Sequence, residues 1–571
     1  MINQSALSGF WRFDDGWLLD YASRFSPFDY FFTPAITRGY SLYNLTPFNP
    51  FLFDIDLWLF GFSPRDFYVQ HLTVMSGCAI TTFLLLRIWL PSRFALSGAV
   101  LFLIGAPSLI VSQQLMVGHY IMGLLFTLLS VYFYVRSFDN KSWWHLILAT
   151  LFYVAATTCK EIYVPLPITL LFIQRGSLVV RLQHITPMFI WTACYAIWRY
   201  FVLGSFIGGY DSGGIEVTFL KSVQQLSQIP QLLFGSTFLG FIAIAVFILL
   251  LGYSLWRRKL NLSLMAVVGV TVILPLIPLL KFPGITQPDR YLFLPWWLVS
   301  IMFIVLISNL PSYKYPYRTS LGLLVIISVA LYAHQVRNKI QPMFKEFDTT
   351  YRFFTSQADN MVFLSGNKNA YYQDTVLNGA RNALARTNNI KLQRVGILTH
   401  RDYIPNLKKA KFSVVQYDST CNCIREARDR KSDNSSSNKT RKPEILVFKL
   451  KPPFPPLFEY GDGKIDTFKV KGNSLYVTGW TNSPVEDIEQ QFLVVTPIKP
   501  EQTKLISEAI DANAFDKQRH RFSLNLIYHD PKSAALSESG ICLLVRSMLT
   551  PLQLIQGPDH NGCTEFLRFF Q

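Results

Sequence analysis

Residues 118–135 read GHYIMGLLFTLLSVYFYV and stop at Arg136. This stretch has no Asp, Glu, Lys or Arg, and as a helix it would rise about 27 Å, close to the roughly 30 Å of a bilayer's hydrocarbon core. In that core every backbone N–H and C=O must be bonded within the segment, so such a run folds as a helix and crosses. Comparable runs recur at about 71–90, 94–112, 144–159, 162–175, 185–204, 232–256, 262–280, 291–309 and 318–336. Together they predict an α-helical polytopic membrane protein with about ten transmembrane helices. The run at 162–175 is short and holds Pro165 and Pro167, the pattern of a broken or re-entrant segment buried among its neighbours.

Composition sorts the chain into two parts. Of 571 residues, 50% are hydrophobic and 16% are charged, against about 25% charged in an ordinary globular chain. The charges are sparse before about residue 340 and frequent after it. A net charge of +17 would suit nucleic acid. In the first half, however, the basic residues sit in short loops between apolar runs, where they set topology, so nucleic acid is excluded as a partner. Arg87 and Arg93, Arg136 and Lys141, Arg175 and Arg181, Arg257 to Lys259, and Lys314 with Arg318 fall in every second loop and mark the cytoplasmic side. The alternate loops and the tail then face outward. No apolar run precedes residue 70, so ten spans would leave both ends outside. Either the first span draws the N-terminal segment across, or a further helix precedes this start.

Three regions follow: a first extracytoplasmic loop over 1–70 with interfacial helices, a transmembrane domain over 71–340, and an extracytoplasmic mixed α/β domain over 341–571. In the last, MVFLSG and RVGILTH read as strands flanking an amphipathic helix, DTVLNGARNALART. The runs EILVFKL, SLYVTGW, QQFLVVTP, RFSLNLIYH and GICLLVRSM suggest a β-sandwich-like portion, and 429–442 (DRKSDNSSSNKTRK) a solvated loop. Cys421, Cys423, Cys542 and Cys563 in this domain allow up to two disulfides, with the pairing open. Cys78, Cys159 and Cys194 lie in or beside apolar segments as small hydrophobes.

Three charged groups lack a topological reason, although a charge in the membrane costs about 2.5–3.5 kcal/mol on insertion scales. Asp14 and Asp15 in FWRFDDGWLL are adjacent carboxylates, suited to general-base work or, more simply, to capping a helix. Lys160 and Glu161 in ATTCKEIYVPLP form either a self-paired ion pair worth about 0–1 kcal/mol or a ligand for an anionic headgroup. Asp289 and Arg290 in GITQPDRYLFLPWW offer a bidentate phosphate binder or an interfacial anchor beside Trp296 and Trp297. Arg199, His119 and His71 sit on outer halves of spans, where a satisfied polar core residue is the commoner role.

These segments resemble a known family. FWRFDDGWLL resembles the Asp-Asp or Asp-Glu motif of GT-C glycosyltransferases. TTCKEIYVPLP resembles the Ser/Cys-Lys-Glu motif of their tetratricopeptide-tailed relatives. VGHYIMGLLFTLL resembles a Gly-Arg-x helix start, with His119 where Arg is common, and PDRYLFLP resembles Glu-Arg-Tyr-Leu-Tyr-Leu-Pro. The order also agrees, over roughly residues 10–310. The resemblance, which extends to protein O-mannosyltransferase-like members, implies an inverting transfer from a polyprenyl-phosphate sugar to an acceptor hydroxyl of a protein, glycan or lipid. It implies Asp14 or Asp15 as base, Lys160 and Arg290 on the lipid phosphate, Glu161 orienting Lys160 or the sugar, and Asp289, His119 and Arg199 around the donor. No metal or other cofactor is implied unless the donor is a pyrophosphate, which would call for a divalent ion.

Two features depart from the family: no helix precedes the Asp motif, and the tail lacks 34-residue helical repeats. The end of the chain, FLRFFQ, carries no retention signal, which fits a bacterial inner membrane with a periplasmic tail. The competing reading is a transporter or flippase of an anionic lipid or lipid-linked glycan. Its site would lie near the midplane between repeated halves, whereas these charges gather at one membrane edge.

Overall fold

The computed structural model describes residues 3–41, 44–140, 143–206, 219–257, 269, 290–311, 315–356, 360–365, 370–398, 401, 404–409 and 411–427, and in the tail 444–448, 460–472, 474–482, 490–495, 503–506, 519–528, 542–547 and 553–556. The chain forms two compact units: Met1–Phe13 with Tyr43–Lys345, and Asp14–Leu42 with Glu346–Gln571.

The first unit is helical. Pro64–Leu86, Leu115–Asp139, Phe238–Trp256, Arg290–Ser308 and Tyr317–Phe354 are each long and apolar enough to cross a membrane, and Ser92–Ile104 with Ala106–Ser112 forms a sixth, bent by 59°. Trp143–Cys159 and Glu161–Leu171 are shorter apolar helices, and Leu178–Leu203 runs for 26 residues through Pro187. The run at 262–280 lies outside the described residues. Length and composition therefore give five or six spans among the described residues, against the ten apolar runs of the sequence. Part of the difference lies in the runs 144–159 and 162–175, which form only the shorter helices Trp143–Cys159 and Glu161–Leu171. The chain is a multi-pass helical membrane protein.

The bent pair shows how a broken helix survives in an apolar setting. Its break leaves the Phe102 carbonyl without a helical partner, and two side chains fill the gap: Ser108 Oγ donates at 2.6 Å and Trp296 Nε1 at 3.0 Å. Trp296 is completely buried and lies so close that a Cβ on Gly105 would meet its ring at 2.1 Å. The far end of the pair is captured in the same way. His71 Nε2 bonds the Val111 carbonyl at 2.9 Å, and Tyr68 Oη and Arg12 Nη1 both donate to the Gln113 carbonyl, at 3.1 and 3.0 Å. Each carbonyl so engaged avoids the cost, several kcal/mol, of an unbonded polar group in hydrocarbon.

Beside it, Gly118–Asn140 packs along Trp143–Cys159. Ser130 Oγ reaches across to the Ala149 carbonyl at 2.8 Å, and Phe133 stacks on Phe152 at 5.7 Å. Buried Tyr134, Val135, Ala149, Tyr153, Leu166, Leu170, Ile185 and Met188 form the core between these helices and Leu178–Leu203.

The second unit holds the short helices Asp15–Ala22, Asp29–Phe32 and Pro34–Tyr40 and most of the tail. Strands β1 (Met361–Leu364), β2 (Gly396–Leu398), β3 (Ser413–Asp418) and β4 (Cys423–Glu426) pair in the order β2-β1-β3-β4. β1 is parallel to both neighbours and β4 is antiparallel to β3. Helix Ala370–Thr387 makes the crossover from β1 to β2 that parallel pairing requires. Its Arg381, 1% exposed, ties the unit together by donating to the carbonyls of Phe354, Ser356 and Gln393.

Strands β5 (Glu444–Phe448), β6 (Tyr460–Lys471), β7 (Ser474–Asn482), β8 (Gln490–Val495), β9 (Thr503–Ile506), β10 (Arg519–Tyr528), β11 (Cys542–Ser547) and β12 (Gln553–Gln556) form one eight-stranded sheet, ordered β5-β8-β11-β12-β6-β7-β10-β9. The strand-like runs of the sequence thus share one hydrogen-bonded sheet, with parallel pairs at β5–β8 and β12–β6. Cys421, in the β3–β4 connection, is joined by a disulfide to Cys423, the first residue of β4. The loop 429–442 and Cys563 lie outside the described residues.

Candidate active site

In the first unit the charged motifs meet where three helices end. Trp143–Cys159 stops just before Lys160, whose backbone turns to an extended conformation before the single turn Glu161–Tyr163. Tyr163 Oη donates to the Tyr120 carbonyl at 2.8 Å, and Tyr153 Oη to that of Val164 at 2.7 Å. The first bond fixes the Lys160 turn against the start of Gly118–Asn140, where His119 and Tyr120 sit, and the second ties it to Trp143–Cys159. A third end arrives at Arg290–Leu292, the turn that opens Phe293–Ser308.

The side chains then converge. Lys160, His119 and the rings beside them are buried. Lys160 Nζ stands 5.3 Å from the centroid of Tyr120, and the Arg290 guanidinium 5.2 Å from that of Tyr291. The two tyrosines meet edge to face at 6.4 Å, and His119 packs on Tyr120 at 4.7 Å. Lys160 and Arg290 both act electrostatically on His119. Cation–π contacts return about 0.5–2 kcal/mol each. Each cation thus lies against one of two touching tyrosine rings in a poorly solvated place.

Glu161 does something different from its neighbour. Its Oε1 accepts from Arg199 Nη1 at 2.6 Å and from the Leu45 backbone N–H at 2.7 Å. Arg199, 3% exposed, also donates from Nε to the Phe206 carbonyl at 3.2 Å. Tyr195 Oη holds the Leu45 carbonyl at 3.0 Å. The carboxylate is therefore engaged by Arg199 and the 44–46 loop, a pairing the adjacency of Lys160 and Glu161 in sequence does not suggest. The Arg199 guanidinium, placed by sequence around the donor, is bonded to Glu161.

The second unit holds Asp14 and Asp15 at the start of helix Asp15–Ala22. Asp15 is 0% exposed, whereas Asp14 is half-buried and accepts from Tyr372 Oη at 2.6 Å. Asp14, the N-cap residue, makes no side-chain cap of this helix. Tyr351 Oη accepts from the Gly16 N–H at 3.3 Å, supplying an acceptor where a helix start leaves its amides open. In this helix burial pushes the Tyr21 phenol well above its usual range. Asp289 lies outside the described residues.

Sequence reading missed four residues. Tyr120 and Tyr291 each follow a singled-out residue directly, so a signal was present. Tyr372 follows Asp14 by 358 positions, and nothing local announces it. Asp56, on helix Phe48–Phe60, is 4% exposed, and burial pushes its carboxyl up to about 7. Among the described residues no three His, Cys, Asp or Glu side chains cluster as metal ligands.

No family model matches this chain, and no curated protein matches its sequence. Among solved structures it is similar to ArnT from Cupriavidus metallidurans in the apo state, with a TM-score of 0.42 and 13% identity over 73% of this chain and 91% of that one. It is likewise similar to ArnT from Cupriavidus metallidurans bound to undecaprenyl phosphate, with a TM-score of 0.42 and 11% identity over 91% of this chain and 96% of that one. A TM-score of 0.42 is a loose agreement.

Proposed function

We propose that this protein is an inverting glycosyltransferase of the GT-C type, moving a sugar from a polyprenyl-phosphate donor to an acceptor hydroxyl at the extracytoplasmic face of a bacterial inner membrane, with the tail periplasmic. The observation that carries the reading is that Lys160 and Arg290 lie at helix ends against the touching rings of Tyr120 and Tyr291, with Glu161 bonded to Arg199. That cluster is cationic, partly dehydrated and lined by two tyrosines, which suits a phosphate carried on a membrane-bound chain.

In the reaction the acceptor oxygen attacks the anomeric carbon and a new C–O bond forms. The bond from that carbon to the phosphate oxygen breaks, and its electron pair leaves with the polyprenyl phosphate. The acceptor proton passes to Asp14. Lys160 and Arg290 stabilise the charge that grows on the departing phosphate. The work of these cations is done in the transition state, where the phosphate carries more charge than in the bound donor.

The test uses native membranes, which carry the endogenous acceptor, and radiolabelled polyprenyl-phosphate hexoses. Lys160→Ala and Arg290→Ala should each lower transfer about 10²–10³-fold, as loss of a single charge-stabilising donor does. Asp14→Asn should abolish it. Full activity in both cation variants would overturn the assignment of the phosphate site. Full activity in Asp14→Asn would overturn the base. A transporter would keep its lipid flux in Asp14→Asn, which separates the two classes.

A further inference from the structure

The tail's contribution can be read from two helices of the second unit. Helix Asp15–Ala22 and helix Ala370–Thr387 pack against each other, with one face of the latter supplying the contacts. Tyr372, Val376, Gly379 and Arg386 recur at the three- and four-residue spacing of one helix face. Tyr372 meets Asp14, Val376 and Gly379 meet Gly16, and Arg386 meets Asp20. Both series ascend together, so the helices run parallel.

Their approach is as close as backbone permits. A Cβ on Gly16 would lie 1.8 Å from the Val376 carbonyl oxygen, and one on Gly379 would lie 2.7 Å from that of Gly16. At the far end Arg386 Nη1 bonds Asp20 Oδ1 at 2.6 Å. At the near end Tyr372 Oη donates to Asp14 Oδ1 at 2.6 Å. The Asp motif is thus set rigidly on a tail helix, and of its two carboxylates the one reached by Tyr372 is also the one not fully buried.

We infer that Tyr372 is the positioning residue of this enzyme: it selects Asp14 over Asp15 as the base, and the tail domain is needed because it presents that phenol to the Asp motif. The inference rests on the reading of Asp14 as base. A donor to a carboxylate favours its charged form, so Tyr372 extends the pH range over which the base is competent. Asp15 is 0% exposed.

The experiment follows transfer in native membranes from radiolabelled polyprenyl-phosphate hexose, as kcat/KM against pH, with full-length variants. Tyr372→Phe should move the acid limb up by about one pH unit, the size of one charge-assisted hydrogen bond partly replaced by water. Below the limb transfer should fall about tenfold, and on the plateau above it transfer should stay within about threefold of wild type. Arg386→Gln, which breaks the other end of the same helix pair, should leave the limb in place. If Asp14→Asn is inactive and Tyr372→Phe keeps the wild-type limb, the positioning role is wrong and the base stands. If Asp14→Asn is fully active, the base reading falls and this inference with it. Should Tyr372→Phe fail to fold, 3,5-difluorotyrosine placed at 372 keeps the shape with a more acidic phenol. The limb should then move down, and an unmoved limb overturns the proposal.

Discussion

Arg199 is more than a buried counter-ion. Its guanidinium is 4% exposed and Glu161's side chain 19% exposed, at 2.6 Å. Replacing Arg199 by Met keeps much of its apolar stem and leaves Glu161 without its nearest cation. Lys160 is the next residue in the chain and already acts on that carboxylate. At about 4 Å and an effective dielectric near 20, two unit charges interact by roughly 4 kcal/mol. Glu161 keeps the Leu45 amide and is partly wetted, so about 1.5–3 kcal/mol is a realistic share. Spent on Lys160, that energy competes with a phosphate, and Arg199→Met should weaken binding of polyprenyl phosphate about 10–100-fold. The decisive measurement is the double variant. Glu161→Gln retains an acceptor for Leu45 N–H and removes the competing charge, so Arg199→Met with Glu161→Gln should bind more tightly than Arg199→Met alone, recovering most of the loss. Microscale thermophoresis of the detergent-solubilised proteins with polyprenyl phosphate gives the three constants of this cycle. A double variant no tighter than Arg199→Met would refute the argument, because the loss would then come from packing and not from a misdirected carboxylate.

Other expectations follow from single contacts. Asp56, pushed up from 3.8 to about 7 by burial, holds a proton in the native state that the unfolded chain releases. Its contribution is fully present below about pH 4, lost as pH rises to about 7, and flat beyond. Asp56→Asn should therefore lose the share of the pH dependence that Asp56 contributes and gain at most about 4 kcal/mol over wild type near pH 8, and thermal melts of the two proteins that stay parallel from pH 5 to 8 would contradict this. Gly16→Ala places a methyl on the Val376 carbonyl and should cost about 1–3 kcal/mol, read as faster limited proteolysis of the tail; unchanged cleavage would show the helix pair to be looser than described. Gly105→Ala drives a methyl into Trp296, whose indole closes the broken helix, and should lower the melting temperature and enhance Trp fluorescence exposure to quencher.

How much of this was legible in the sequence depends on how far each signal reaches. The apolar runs report the solvent of each residue, and they gave the helices of the first unit. They say nothing about where a helix yields, so the break at Gly105, which depends on an indole 191 positions onward in the chain (Trp296 donating to Phe102, |i−j| = 194), was not visible. The alternating patterns of the tail gave β1, β2, β5, β7, β8, β10 and β11. Strand order and the parallel pairing of β5 with β8 were not legible, because alternation fixes which face a residue takes and not which strand lies beside it.

The candidate site divides along the same line. Lys160 and Arg290 stood out because a charge at a membrane edge needs a reason, and that test requires only the residue and its flanks. What each charge does depends on partners the flanks do not contain. Lys160 and Glu161 are neighbours in the chain, and a bond between neighbours was the simplest expectation. A helix end with an extended residue at Lys160 sends consecutive side chains in different directions, however. Glu161 therefore meets Arg199 and Leu45, 38 and 116 positions away, while Lys160 meets Tyr120 and His119. Adjacent opposite charges at a helix terminus are thus better read as two separate hooks than as one pair. The pairing across the fold decides what each of them does.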